Sequence, residues 1–282
     1  MALFGLYFYV YNLRQGYPYL YYTLSAITII FMIAVPILTM RSFAEDRKNK
    51  TDQLMLTAPV PVAKVVLGKY LAMLAVFTVD IAVFCVTPLI LRAFGTIPMG
   101  ESYIAILAFW LYGAASIAVG MFISALTESQ VIAAVLTFVV LFISYMMQSL
   151  TGLISSDGNW LTKILNGLDL YAPFEKFQGG CLDITAILYY VTVIVLFNFF
   201  TVQAIQKRRW SISKKTFSLS VFSSSFIVVV FALAVVANLA VDALPTRITS
   251  LDCSYSKLYS ITKDTKKNMK KLKSDVTIYA VS

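Results

Sequence analysis

The chain contains no histidine, and only three of its 282 residues are cysteine: Cys85, Cys181 and Cys253. Without histidine there is no His-based catalytic dyad or triad, no H-E-x-x-H zinc pattern and no haem ligation by imidazole. The cysteine spacing forms neither a metal-ligand pattern nor a disulfide framework. The phosphate-cradling pattern G-x-x-x-x-G-K-[ST] is missing as well, so any ATP the protein uses must be bound by another chain. Charge is also scarce: Asp, Glu, Lys and Arg make up 13% of the residues, against roughly 25% in soluble domains. What remains is apolar, with 59% hydrophobic residues and a mean hydropathy of +0.79, the composition of an integral membrane protein.

A helix needs about twenty apolar residues to cross a hydrocarbon core of roughly 30 Å. Six runs qualify: Tyr19–Met40, Val66–Leu91, Tyr103–Leu126, Val131–Ile154, Ile184–Ile205 and Leu219–Val241. Pro36 and Pro88 are expected to kink their spans. The opening MALFGLYFYVYNL is apolar but short, and lacks the basic start and cleavage site of a secretory signal. It reads either as a tyrosine-rich interfacial segment or as the outer half of a first span that begins upstream.

Lysine and arginine set the orientation. The connections after Met40 and Ile205 carry Arg41, Arg47, Lys48, Lys50, Lys64 and Lys69, then Lys207, Arg208, Arg209, Lys214 and Lys215; the opposite connections hold only Arg14, Arg92, Lys163 and Lys176. Positive charge favours the cytoplasm, which puts 41–65, the tight turn at 127–130 and 206–218 inside and the C-terminus outside. The turn at 127–130 is short enough to force an antiparallel hairpin. The outer connection 155–183, with its YAPFEKFQGG stretch, is expected to form short re-entrant or interfacial helices.

The unusual feature is a charged interruption, MRSFAEDRKNKTDQLMLTAPVP, from Met40 to Pro61. Glu45 and Lys48 stand at i,i+3 and Asp46 and Lys50 at i,i+4, which predicts a charged helix over 42–57. Pro59 and Pro61 then stop it and impose an extended connection. On residue chemistry alone the stretch is either a solvated loop that fixes topology or a positioned helix that transmits force.

The same residues carry a resemblance. RSFAEDRKNKTDQLMLTAPVPVAKVVLGKYLA resembles the signature of bacterial ABC-2 type export permeases, in the subgroup of gliding-motility transporters and the related copper-processing membrane component. The positions that match are Phe43, Ala44, Glu45, Arg47, Lys50, Thr51, Leu54, Leu56, Thr57 and Pro59, followed by LGKYLA from Leu67, while Asp46 and Met55 depart conservatively. GAASIAVGMFISALTESQVIAAVLTF, from Gly113 to Phe138, is similar to the family's fourth and fifth spans with their connecting turn. The resemblance covers about residues 1–240. It implies that 42–57 is a coupling helix docking into a cytoplasmic ATPase subunit, present in two copies, which binds ATP and Mg. It further implies a second permease copy and an export function. A second resemblance starts at ITSLDCSYSKLYSITKDTKKNMKKLKSDVTIYAVS, which is similar to the beginning of the outer domain of gliding-motility auxiliary proteins through Asp252, Lys257, Tyr259, Thr265 and Lys266. There 262–272 reads as a basic helix and 276–281 as a strand, or the whole stretch as a disordered tail.

The other polar residues leave alternatives open. Asp80, deep in its span, serves either a substrate path or a structural hydrogen bond to a neighbouring helix. Glu128 in the tight turn is either a second ATPase contact or a solvated residue. Cys181 and Cys253 both lie outside, where pairing depends on their separation. The small residues from Gly113 to Gly120 suit close helix contact, within one bundle or between two copies.

The sequence thus predicts an all-α integral membrane protein with six complete spans, a partial N-terminal one, a cytoplasmic coupling helix and the start of an α/β outer domain. The expected divisions are 1–206 for the permease, 207–243 for a basic linker with the final span, and 244–282 for the outer segment. The function expected is the permease subunit of an ATP-driven exporter in a bacterial cytoplasmic membrane, surrounded by lipid and with no nucleic-acid partner. The alternative is a membrane scaffold that binds a cytoplasmic partner without transport.

Overall fold

The computed structural model describes residues 1–52, 59–154, 167, 169–177, 179–207, 228–241, 249–253 and 267. Helix α1 (Ala2–Phe8) runs into a π-helical stretch, Tyr9–Arg14, and the chain turns back into α2 (Leu20–Thr39). Asn12 holds that turn: its amide donates to the Tyr17 carbonyl at 2.8 Å and its carbonyl accepts the Thr23 hydroxyl. A short α3 (Ala44–Lys48) follows, then α4 (Val62–Phe84), α5 (Thr87–Phe94), α6 (Met99–Leu126), α7 (Gln130–Tyr145), α8 (Met147–Ile154) and α9 (Ala172–Glu175). Strand β1 (Cys181–Asp183) leads into α10 (Ile184–Lys207), and α11 (Val228–Val241) precedes β2 (Ser250–Asp252).

Among the described residues, four helical segments are long and apolar enough to cross a membrane: Leu20–Lys48, Val62–Phe94, Met99–Leu126 and Ile184–Lys207. Gln130–Tyr145 and Val228–Val241 are apolar but shorter. One predicted span is interrupted where Pro88 was expected to kink it, and another divides where the sequence reading ran it straight through. The Val66–Leu91 run bends at Cys85 and Val86, because Pro88 in the first turn of α5 has no N–H to continue the α4 ladder. The Val131–Ile154 run divides at Met146, whose N–H still reaches the Phe142 carbonyl. Pro36 leaves α2 unbroken to Thr39.

Helix α6 is the hub, packing against α2, α4, α7 and α10. It is buried on almost every side, which its small residues make possible. A Cβ at Gly113 would overlap the Phe77 ring and stand 3.0 Å from Phe31, and one at Gly120 would overlap Thr39 and stand 3.0 Å from Thr137. The Gly113–Gly120 face is therefore used inside one bundle. Around it Phe31, Phe77, Phe109 and Tyr112 form an aromatic cluster with ring centroids 5.1–6.5 Å apart. Phe4 of α1 stacks on Phe84 at 3.6 Å, which fastens the N-terminal segment to the end of α4.

The two strands pair antiparallel, with Cys181 opposite Asp252, Leu182 opposite Leu251 and Asp183 opposite Ser250. This pairing, between segments about seventy residues apart, has no counterpart in the sequence reading. Directly opposed residues share a sheet face, so Cys253, one position beyond Asp252, faces away from Cys181. Both thiols are free. The stretches 262–272 and 276–281, read as helix and strand, lie outside the described residues apart from Lys267, which is helical.

Gly113→Val is expected to destabilise the bundle by about 2 kcal/mol, because the Phe77 ring is enclosed by Phe31 and Phe109 and overpacking typically costs 1–3 kcal/mol. Thermal unfolding in detergent measures this. An unchanged midpoint would show that the ring yields freely.

Candidate functional site: the elbow after the first long helix

Where α2 ends, the chain must turn, and turning frees backbone groups from the helical ladder. Three of them meet one side chain. The Ser124 hydroxyl near the end of α6 donates to the Met40 carbonyl at 3.0 Å, while its oxygen accepts the Phe43 and Ala44 N–H groups at 3.2 and 3.1 Å. Ser124, Phe43 and Ala44 are fully or almost fully buried. Two charged contacts then fix the rotation of α3. Arg47 donates to the Leu126 carbonyl at 2.8 Å and pairs with Glu128 at 2.7 Å. Asp46 pairs with Lys69 of α4, whose ammonium also donates to the Ser42 carbonyl and lies 4.5 Å over the Phe43 ring.

Within the described residues the expected helix over 42–57 is interrupted at Asn49–Thr51; Asp52 is helical again, and 53–57 lie outside the described residues. The i,i+3 and i,i+4 pairs read from the sequence are not made, because Lys69 of α4 claims Asp46. α3 ends after five residues in a Schellman turn: the Thr51 N–H reaches the Asp46 carbonyl at 2.9 Å and the Lys50 N–H the Arg47 carbonyl at 3.1 Å. The turn needs a left-handed residue, and Lys50 supplies it with a φ of +57°. Glycine takes this conformation freely, whereas a residue with a Cβ sits there at a cost of about 1 kcal/mol.

The sequence-proposed residues therefore separate. Phe43, Asp46 and Arg47 face the bundle, Glu45 is half-buried in the first turn of α3, and Lys50 and Thr51 are exposed at its end. Thr51 also donates its hydroxyl to the Asp46 carbonyl at 3.2 Å. Pro59 is exposed, and Pro61 has the extended backbone expected of it as it starts α4. Leu54, Leu56 and Thr57 lie outside the described residues. Glu128, 73% exposed, joins the elbow through Arg47. Asp80 stands apart, eleven residues beyond Lys69, exposed on α4 and without a hydrogen bond to the described residues. The neighbouring-helix bond weighed for it is thus not made within this bundle.

Sequence reasoning missed Ser124 and Lys69. Each left a signal: Lys69 is a cation two turns into an apolar helix, and Ser124 is a hydroxyl just before the tight turn.

At the opposite end, residues 169–177 fold into the bundle as a plug, with Tyr171, Phe174 and Phe177 buried. The Ser144 oxygen accepts the Leu170 N–H at 2.8 Å, Tyr190 donates to the Leu170 carbonyl at 2.9 Å, and the Tyr171 and Ser25 hydroxyls meet at 2.7 Å. Asp169 starts the turn, its Oδ1 accepting the Tyr171 and Ala172 N–H groups at 2.7 and 3.0 Å. Its Oδ2 is buried with no hydrogen-bond partner among the described residues. Burial raises the Asp169 carboxyl above its usual value of 3.8, against the lowering effect of the two N–H groups, and the nearby Glu175 charge adds to the rise.

The elbow between two apolar helices is thus wired to the central helix and to a short polar turn. A family model described as ABC-2 family transporter protein matches residues 8–179, over half of the chain, including the elbow and the plug at 169–177. The chain belongs to the ABC-2 transporter family. No curated protein and no solved structure matches it significantly. As an ABC-2 chain it is a multi-pass membrane component of a transporter, a family that works with a cytoplasmic ATPase and is not itself one.

In this ABC-2 chain Ser124→Val is expected to cost about 2–4 kcal/mol, since it strands buried backbone groups worth 1–3 kcal/mol each. The more conspicuous Arg47–Glu128 pair should show a coupling below about 1 kcal/mol in a double-mutant cycle, because Glu128 is exposed to solvent and salt. Unfolding in detergent tests both, and the opposite ranking would move the centre of the elbow to the ion pair. Asp169 gives a pH signature. Its folded value is raised, so its contribution to stability is present below the ordinary carboxyl range and is lost as pH rises through the raised value. Asp169→Asn keeps the acceptor for both N–H groups and removes the buried charge. It should be as stable as the wild type near pH 3.8 or below and more stable at pH 7, as read by thermal unfolding across that range.

Proposed function

We propose that this chain is the permease subunit of an ATP-driven exporter, and that the elbow at 40–52 is where the ATPase subunit docks. The observation that carries this is the direct wiring of α3 into α6 through Ser124, Leu126 and Glu128. A solvated loop that only fixed topology would need none of those contacts. ATP and Mg belong to the partner, and the working unit is two permease copies over two ATPase subunits. The elbow faces the cytoplasm, in keeping with the basic residues on that side.

The strand pairing supports the remaining topology. Phe122 of α6 packs on Phe197 and Phe200, which sets the end of α10 beside the elbow end of α6. β2 pairs with β1 at the opposite end, where α10 begins. A final span containing α11 would carry the chain from the one end to the other, which supports a last segment outside and a six-span arrangement. Membership of the gliding-motility subgroup rests on the elbow motif, and an outer auxiliary domain on the stretch from Ile248.

Purification from native membranes in mild detergent tests the reading. The wild-type chain should bring down an ATP-hydrolysing subunit in equal amount, in an assembly whose mass contains two of each. Glu45→Lys should leave the spans folded while reducing permease-dependent ATP turnover at least tenfold. A folded chain that comes without an ATPase would instead support the scaffold reading.

A further inference from the structure

The coupling motif presents a mixed set of charges in sequence, but the fold sorts them. Asp46 is taken by Lys69 and Arg47 by Glu128. Glu45 and Asp52 are partly buried, and the exposed charges on 40–52 are Arg41, Lys48 and Lys50, all positive. Lys50 is singled out a second time by its backbone. It occupies the left-handed position of the Schellman turn, where glycine would fit without strain, and its side chain projects from the end of α3 into solvent. Backbone strain of this kind persists where the side chain's position has a use.

We propose that Lys50, with Lys48 beside it, anchors the elbow to an acidic surface of the cytoplasmic ATPase subunit. This rests on the permease reading above and adds to it the chemistry of the surface recognised. A rigid protein surface is favoured over anionic lipid headgroups because a fluid headgroup layer accommodates a lysine in any direction. It gains nothing from a residue held in a strained one. The Schellman turn fixes that direction, and the Ser124, Arg47 and Lys69 contacts fix the helix it extends from. The face left over is complementary to carboxylates, and its grip is expected to weaken with salt.

The test uses the complex as it comes from its own membranes, with the ATP-hydrolysing subunit that accompanies the wild-type chain as the probe. A carbodiimide, which joins an amine to a carboxylate in contact with it, should couple Lys50 or Lys48 to an Asp or Glu of that subunit. Lys50→Arg keeps the charge but offers no amine, so it should retain the ATPase while losing the coupling at that position. Lys50→Gly relaxes the backbone, so the chain should unfold at the wild-type temperature or above it, yet hold about tenfold less ATPase. Lys50→Glu should hold less still. That combination, a fold that is intact or improved with association lost, separates contact from structure.

Wild-type retention by Lys50→Gly would overturn the proposal while leaving the permease reading standing. So would a Lys50→Gly defect that appears only as altered dependence on phosphatidylglycerol in nanodiscs, which would assign the face to lipid. A wild-type chain that brings down no ATPase overturns both.

Discussion

A chain that leaves a membrane helix and doubles back must satisfy the backbone groups that the helix no longer bonds, and at the end of α2 a single hydroxyl does most of this. Ser124 gives its proton to the Met40 carbonyl and receives the Phe43 and Ala44 N–H groups. One consequence is geometric: α2, the elbow and the end of α6 share one buried point, so the elbow cannot shift without disturbing one of the other two. The other is energetic. Because these groups have no water to return to, the arrangement is held by the cost of leaving them unmade rather than by the strength of any one bond. The ion pairs around it are more exposed and set the rotation of α3 more than its attachment.

The distribution of charge follows from this attachment. Once α3 is pinned at its start, Asp46 and Arg47 are turned toward α4 and α6, where Lys69 and Glu128 complement them. Polarity that looks in sequence like a solvated surface is thus divided into an inward half, which holds the elbow, and an outward half, which stays exposed. Sequence spacing identifies pairs that a free helix would form, whereas the fold offers partners from other helices that compete with them.

This separates what could be read in the sequence from what could not. Apolar runs of about twenty residues located α2, α4, α6 and α10, since membrane length is a one-dimensional constraint. The tight turn before α7 and the extended Pro61 were legible for the same reason, being local. The length of α3 was not, because it depends on Lys69, more than twenty residues from Asp46. The register of β1 against β2 depends on residues separated by most of two helices, and the break at Met146 on how α7 meets its neighbours, whereas the bend before Pro88 was legible from the proline itself. In the elbow, Phe43 to Thr51 were singled out by resemblance to a family motif, but which of them face the bundle is set by tertiary contacts. Ser124 stayed invisible because serine is unremarkable in an apolar helix until one knows what lies beside it.

The far end of α6 extends the argument across the membrane. α6 spans about 42 Å at 1.5 Å per residue, with its last turns bound to the elbow and its first turn against the outer strands. There a Cβ at Gly100 would stand 3.0 Å from the Cys253 carbonyl, the side chain of Glu101 lies against Gly180, and Cys253 donates to the Gly180 carbonyl at 3.1 Å. Between these ends the helix is enclosed on nearly all sides, with glycine and alanine packed too closely against Phe77, Phe31 and Thr39 for it to bend alone. A closely packed element of this kind moves as a body or not at all. Displacement at the elbow must therefore either be absorbed by the whole bundle or appear at the opposite surface, beside the plug at 169–177 and the paired strands. The same close packing around Gly113 and Gly120 makes α6 a stiff link between the two ends of the bundle.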